Sequence, residues 1–283
     1  DATQNGSYDI IVTRLNSTGT ALVGSTYIGG SGNDGQNAIP YNYGDTYRGE
    51  IIADALGTVY IASFTSSNNF PATAGVFDAT ANGAQDGVII RLNPSFATLD
   101  WATYVGGSGD DAALGLKLDG SGFGLYIAGA TSSVNFPTQG GAIHPTFLGG
   151  GMDGWVMYLA SNGIFTLASS YIGTSGYDQA YFLQLDATNS VYLYGITEGN
   201  IPITPGCYGV NSGNIFIMKF PFNFGSVIYQ TCLGSATAAN FSPTAFLVDN
   251  CNKVYISGFG GVAGYATTPN AIPSSGAFYE AVI

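Results

Sequence analysis

The stretch Ser25-Thr-Tyr-Ile-Gly-Gly-Ser-Gly-Asn-Asp34 returns as Ala102-Thr-Tyr-Val-Gly-Gly-Ser-Gly-Asp-Asp111 and again as Ser169-Ser-Tyr-Ile-Gly-Thr-Ser-Gly-Tyr-Asp178. A reduced fourth copy is Gln230-Thr-Cys-Leu-Gly-Ser235. Self-similarity at a long, fixed period is the signature of stacked structural units, so this recurrence decides the fold before any single element is placed. A second marker, the Val-Tyr-Ile type triplet, centres on Tyr60, Tyr126, Tyr192 and Tyr255, with successive spacings of 66, 66 and 63 residues. A third is an acidic or amide residue opening an apolar run: Asp9, Asp86, Asp153, Asn214 and Glu280. The repeating unit is therefore about 65 residues long.

Each unit holds four short apolar patterns separated by turn chemistry. In the clearest copy, strand a spans 113–119 and the turn Asp119-Gly-Ser-Gly122 follows. Strand b spans 125–131, a loop of about twenty residues carries Asn135-Phe-Pro137, strand c spans 153–159 and strand d spans 165–172. Four antiparallel strands in a unit too thin to bury both faces alone predict an all-β fold, a β-propeller of four-stranded blades. The units divide as 1–48 (strands c and d), 49–112, 113–179, 180–243 and 244–283 (strands a to c), in one domain. About four and a quarter units read as a portion of a larger ring. In an a-b-c-d meander the d-to-a and b-to-c connections share one rim, so the Gly-Gly-Ser-Gly loops and the Asn-Phe-Pro loops meet there.

Composition narrows the function. Among 283 residues, 46% are hydrophobic and only 8% charged, with 42 glycines, which suits a folded β-rich chain rather than a disordered one. Six Lys and Arg against 18 Asp and Glu give a net charge of −12. The six cations are scattered, so nucleic acid and anionic membrane surfaces are excluded as partners. The charge-free run from Phe220 to Val248 is interrupted by Pro221, Gly225 and Pro243, which excludes insertion as a membrane helix.

The combination Asp9-x-x-Val-x-Arg-Leu-Asn16, the Ser25–Asp34 stretch and Val59-Tyr-Ile-Ala-Ser-Phe-Thr-Ser-Ser-x-Asn-Phe-Pro71 resembles the SBBP β-propeller repeat of secreted bacterial proteins. The last unit, from Phe246 to Gly261, is similar to a variant found in large surface proteins of Bacteroidota, including gliding-motility-associated proteins and type IX secretion substrates. The resemblance implies a propeller at the cell surface, and it attaches no catalytic residues to the repeat. The fourth copy departs from the pattern, with Ala238 and Ala239 where the others carry an acid.

Candidate binding residues follow from the rim loops: Asn33 and Asp34, Asp110 and Asp111, Tyr177 and Asp178. Carboxylates in a glycine-flexed loop are hard oxygen ligands of the kind calcium uses, which makes Asp110 and Asp111 its candidate site; the competing reading has each Asp accept hydrogen bonds from its own turn. No catalytic constellation emerges. His144 is the only histidine, no zinc spacing accompanies it, and Asp9, Asp86 and Asp153 recur at one position as architectural residues do. Phe70, Phe136, Tyr177 and Tyr208 could stack on sugars, although the repeated Phe-Pro pair reads better as a plug for the blade edge. Cys207 and Cys232 fall on one rim and are the one feasible disulfide; Cys251 lies on the opposite rim.

The expectation is a non-enzymatic extracellular module, structural or adhesive, that binds glycan, protein or copies of itself through its loop rim and needs no cofactor. The alternatives are a glycan-active enzyme with an axial site, or a calcium-stabilised scaffold. An axial enzyme should break the repeat with unmatched charged residues, and only Arg48, Glu50 and Lys117 near strand a do so.

Overall fold

Alternation of apolar and small residues, interrupted by Asp-Gly and Asn-Gly turns, produces strands and, among the described residues, no helix. In the computed structural model, which describes residues 1–40, 46–235, 241–260, 265–271 and 280–282, the order is β1 (Ile10–Leu15), β2 (Leu22–Ile28), β3 (Glu50–Ala53), β4 (Val59–Thr65), β5 (Asp86–Leu92), β6 (Leu99–Val105), β7 (Asp111–Leu118), β8 (Gly124–Thr131), β9 (Asp153–Ala160), β10 (Thr166–Ile172), β11 (Asp178–Leu185), β12 (Val191–Thr197), β13 (Ile215–Phe220), β14 (Tyr229–Leu233), β15 (Ser242–Val248), β16 (Val254–Gly260) and β17 (Glu280–Val282). Ala238 and Ala239 lie outside the described residues.

The strands form three four-stranded antiparallel sheets, β3-β4-β5-β6, β7-β8-β9-β10 and β11-β12-β13-β14, flanked by the pair β1-β2 and the triplet β15-β16-β17. Each complete sheet is the expected a-b-c-d meander, and the fold is all-β with propeller-type blades. Register repeats as well: Tyr60 lies opposite Arg91, Tyr126 opposite Tyr158 and Tyr192 opposite Lys219. These partners also touch. Tyr126 stacks on Tyr158 with centroids 4.3 Å apart, and the Lys219 ammonium sits 4.6 Å from the Tyr192 ring centre while pairing with Asp186 at 2.9 Å.

Successive sheets pack face to face, and the two faces of a blade are chemically different. The face turned to the preceding blade carries branched and large residues from strands b and c, such as Ile61, Val88 and Ile90, or Ile127, Trp155 and Met157. The face turned to the following blade carries the strand-b tyrosine and a small residue two positions on: Tyr60 and Ala62, or Tyr126 and Ala128. The branched face of one blade packs on the tyrosine face of the one before it, and the same pairing joins β11–β14 to β15 and β16. Burying one such large side chain contributes about 1.5–3 kcal/mol, so these junctions carry much of the stability. Turns between strands c and d seal the junctions from below, with Phe96 over Gly24 and Gly163 over the Trp101 ring.

The cysteines correct one expectation. All three carry free thiols. Cys232 pairs with Phe216 and is fully buried among Phe216, Met218 and Phe220, where burial pushes its thiol pKa up. Val210 rather than Cys207 lies alongside it, donating its N–H to the Cys232 carbonyl at 2.8 Å. Cys207 closes a separate turn on Thr204. Thiol titration without reductant should therefore find three thiols in the unfolded chain and, in the native protein, fast reaction at exposed Cys251 with Cys232 protected; one titratable thiol after unfolding would restore the bridge.

Candidate functional site

The repeated acid is the first residue of strand a in two copies, Asp111 of β7 and Asp178 of β11, while Asp34 bridges to Thr65 within the connection ahead of β3, and in all three copies it is buried. It clasps the connection that precedes it. Gly30 N–H donates to Asp34 Oδ2 at 2.8 Å and Ser67 Oγ donates to the same oxygen at 2.9 Å, while Thr65 donates to Oδ1. One blade on, Gly107 N–H and Ser133 Oγ donate to Asp111 Oδ2 at 2.8 and 2.7 Å. The serine is itself held, accepting from Gly32 N–H in the first copy and Gly109 N–H in the second, both at 2.8 Å.

The third copy keeps the donors by moving one. Gly199 stands where the others have Ser67 and Ser133, and Thr174 stands where they have Gly30 and Gly107. Thr174 donates both its N–H, at 2.7 Å, and its hydroxyl, at 2.9 Å, to Asp178 Oδ2. A β-carbon on Gly199 would lie 1.8 Å from the Thr174 hydroxyl, so the two changes require each other.

The strand-c acids complete each junction. Asp86 Oδ2 accepts from Asn82 and Gly83 N–H at 2.9 and 3.2 Å, and Asp153 Oδ2 accepts from Leu148 N–H at 2.5 Å. Their Oδ1 atoms, like that of Asp9, are buried without a hydrogen-bond partner among the described residues. Asp86 and Asp111 close on Gly106, where a β-carbon would meet Asp86 Oδ1 at 2.5 Å and Asp111 Oδ2 at 2.6 Å. Asp9 and Asp34 enclose Gly29 in the same way. Only glycine fits between the two acids.

These placements answer the rim assignment residue by residue. Asp34, Asp111 and Asp178 are buried in the junction rather than open to solvent, with Oδ2 of each taken by backbone N–H and hydroxyl donors, while Oδ1 of Asp111 and of Asp178 is buried without a hydrogen-bond partner among the described residues. Asn33 and Asp110 are half-buried, and their carbonyls accept from Ser66 and Ser132 N–H, both at 2.9 Å. Among the described residues no group of three or more His, Cys, Asp or Glu gathers as a metal site. Phe70 and Phe136 are buried plugs. Each donates its N–H to a strand-d tyrosine hydroxyl, Tyr104 at 3.1 Å and Tyr171 at 2.8 Å, which in turn donates to the Ser67 or Ser133 carbonyl. Tyr208 alone of the four aromatics is open, 69% exposed. His144 is half-buried in the Ile143–Pro145 loop, and burial lowers its pKa.

The repeat is broken at one connection. Between β2 and β3 run 21 residues, against five between β6 and β7 and five between β10 and β11. This segment reaches other blades. Asn37 accepts from Gln85 Nε2 at 2.9 Å, and the Pro40 carbonyl accepts from the Tyr177 hydroxyl at 2.5 Å and Gln179 Nε2 at 3.1 Å. The Arg48 guanidinium lies 4.4 Å from the Phe182 ring centre and donates to the Pro243 carbonyl at 2.6 Å. Glu50 accepts from Leu116 N–H at 2.6 Å and pairs with Lys117 at 2.5 Å. The unmatched charges thus pin the inserted segment to β7, β11 and β15. Beside it, Tyr47 and Tyr8 form an exposed aromatic pair, centroids 6.2 Å apart. Sequence reading passed over this pair; the extra length of the connection was the available signal.

No protein-family model matches the chain, and no curated protein matches it. Among solved structures, the Dos1 propeller aligns with 90% of this chain and 61% of its own length, at 12% identity and a TM-score of 0.34. The Chaetomium thermophilum Sqt1 structure, solved bound to the N-terminus of the ribosomal protein L10, aligns with 88% of this chain and 75% of its own, at 10% identity and a TM-score of 0.32. The chain thus spans less than two thirds of the Dos1 propeller. The assignment of propeller blades rests on the sheet order and registers described above.

The buried acids set the pH response. Burial pushes Asp111 and Asp153 up to about 7 and Asp178 up to about 6, with Asp86 beside Asp111, and Asp178 beside Asp153, adding to the rise. A group whose folded pKa exceeds its unfolded value contributes stability below the unfolded pKa, about 3.9, and loses it as pH rises through the folded one. Asp119 and Asp186 are held below the usual range by the donors around them, which outweigh desolvation, and they act oppositely, losing their contribution as pH falls below about 4. The melting temperature should therefore decline between about pH 5 and pH 8. Asp153→Asn, which copies Asn214 of the fourth unit, should flatten that decline; an unchanged slope in differential scanning calorimetry would count against the buried pairs.

Proposed function

We propose that this chain is a non-enzymatic binding module, a propeller that engages a protein partner at the cell surface through its loop rim. The observation that carries the reading is the Tyr8–Tyr47 pair, with Tyr47 64% exposed beside the one inserted connection. Exposed tyrosines on a braced segment supply contact area at low conformational cost, which is how protein-binding loops are commonly built. The repeated acids and the unmatched charges are already engaged inside the frame, which argues against an axial acid–base site. Surface location follows from the resemblance to secreted propeller repeats and from the acidic, lysine-poor composition. Glycan binding draws less support, because Phe70 and Phe136 are plugs.

The test compares the wild-type chain with a Tyr8→Ser/Tyr47→Ser variant and a Leu56→Ser control in binding to intact bacterial cells. Leu56 is 84% exposed in the turn between strands a and b, on the opposite rim. Loss of binding in the tyrosine variant alone supports the reading, whereas equal behaviour of the three chains, or release of new reducing ends from surface glycans, overturns it. The same reading has no role for calcium at Asp110 and Asp111. EDTA should leave the melting temperature unchanged, and a downward shift reversed by calcium would establish the scaffold alternative.

A further inference from the structure

Within the connection between β2 and β3, the stretch Asn37-Ala-Ile-Pro40 lies across three blades in the manner of a bound peptide. Ala38 N–H donates to Gln85 Oε1 at 2.7 Å while Gln85 Nε2 donates to Asn37 Oδ1 at 2.9 Å, so one glutamine holds both the backbone and the side-chain amide. Ile39 is 3% exposed, buried in the cluster that holds Ala112, Leu114, Met152 and Tyr181. The Pro40 carbonyl accepts from the Tyr177 hydroxyl and Gln179 Nε2. Joining one blade to the next does not require this stretch, since the β6–β7 and β10–β11 connections do so with five residues each against 21 here. The polar side chains of its seat also break the repeat. Where Gln85 precedes a strand-c acid, the other units have Tyr8, Met152 and Gly213; where Tyr177 and Gln179 flank Asp178, they have Asn33 and Gly35, then Asp110 and Ala112.

We propose that this seat is a recognition site for a linear peptide of a protein partner, with the pattern amide, any residue, β-branched residue, proline, and that Asn37–Pro40 is an internal copy of that ligand which holds the site closed. Each feature of the pattern has its receptor: Gln85 for the amide, the apolar cluster for the branched side chain, and Tyr177 with Gln179 for the proline carbonyl. The internal copy is an imperfect occupant. Asn37 Nδ2 and Gln179 Oε1 are buried without a hydrogen-bond partner among the described residues, and Gln179 is fully buried. An unpaired buried polar atom keeps its desolvation penalty, so a ligand that brings a donor to Gln179 Oε1 displaces the internal copy at an advantage. Because it is tethered, the internal copy competes at an effective concentration on the order of 1 mM. A partner therefore meets a seat that is open only part of the time, which weakens its apparent affinity by that fraction. The site is separate from the Tyr8–Tyr47 patch and does not rest on it.

The probe is a fluorescein-labelled peptide with the sequence of residues 35–40, Gly-Gln-Asn-Ala-Ile-Pro, amidated at its C-terminus so that N–H donors follow the proline carbonyl. Ile39→Asp in the protein places a charge in the apolar part of the seat and releases the internal copy. That chain should bind the peptide about tenfold or more tightly than the wild-type chain in fluorescence anisotropy. Adding Gln179→Leu to it should weaken binding about tenfold or more, and the Ile39→Asp version of the peptide should bind neither chain. In the wild-type protein, which needs no substitution to fold, about 1 mM peptide should speed hydrogen exchange at the Ala38 and Ile39 amides, which donate to Gln85 Oε1 and Asn37 Oδ1. Equal affinity for the wild-type and folded Ile39→Asp chains, no binding to either, binding that Gln179→Leu leaves intact, or wild-type exchange unmoved by the peptide would each overturn the proposal.

Discussion

A carboxylate with no access to solvent must collect donors, and the repeated aspartate that ends the Gly-Ser-Gly stretch collects them from its own connection and, in the first two copies, from a second loop. Asp111 takes Gly107 N–H from the connection leaving the previous blade and Ser133 Oγ from the loop leaving its own strand b. Through Ser133 it also fixes Gly109 N–H. The rim of the propeller is therefore not a set of independent loops but a lattice tied at one buried atom per junction. Such a network is stable when complete and costly when one member is missing, because the carboxylate cannot turn to water for a replacement. The exchange of Ser for Gly199 and of Gly for Thr174 shows the constraint acting within one molecule: the hydroxyl crossed from one loop to the other, and the donor set survived.

The frame was legible in the sequence to within a residue or two. Strand b expected at 125–131 is β8 at Gly124–Thr131, and strand c expected at 153–159 is β9 at Asp153–Ala160. Such agreement has a simple source, since alternation fixes the strands and Asp-Gly or Asn-Gly chemistry fixes the turns. What the repeat could not show was which way the acids face. A glycine-rich stretch ending in two acids reads as an open loop, and only the ladder of Asp111 opposite Thr131 makes the second acid a strand residue with a buried side. The cysteines failed for a similar reason. Sharing a rim brings two residues to one end of the molecule, but side-chain parity along β14 turns Cys232 inward among Phe216 and Met218.

The inserted connection was visible as excess length, and its destination was not. Asn37, Pro40 and Arg48 find Gln85, Gln179 and Pro243, partners that are 48 to 195 residues away in the chain. No local rule connects them. The same contacts explain why Arg48, Glu50 and Lys117 break the repeat: they hold a segment that has no counterpart of its length in the β6–β7 and β10–β11 connections.

A repeat whose polar groups are spent on its own junctions has little left with which to recognise a ligand at equivalent positions. Each of the three described Asp clasps takes one backbone N–H and one hydroxyl on Oδ2, so variation among them is confined to exchanges that preserve this pair, as at Thr174 and Gly199. Freedom from that constraint is found where the repeat is interrupted. Among the described residues one such place is the Tyr8–Tyr47 pair beside the inserted connection. It is a small exposed aromatic patch next to a segment anchored on β7, β11 and β15.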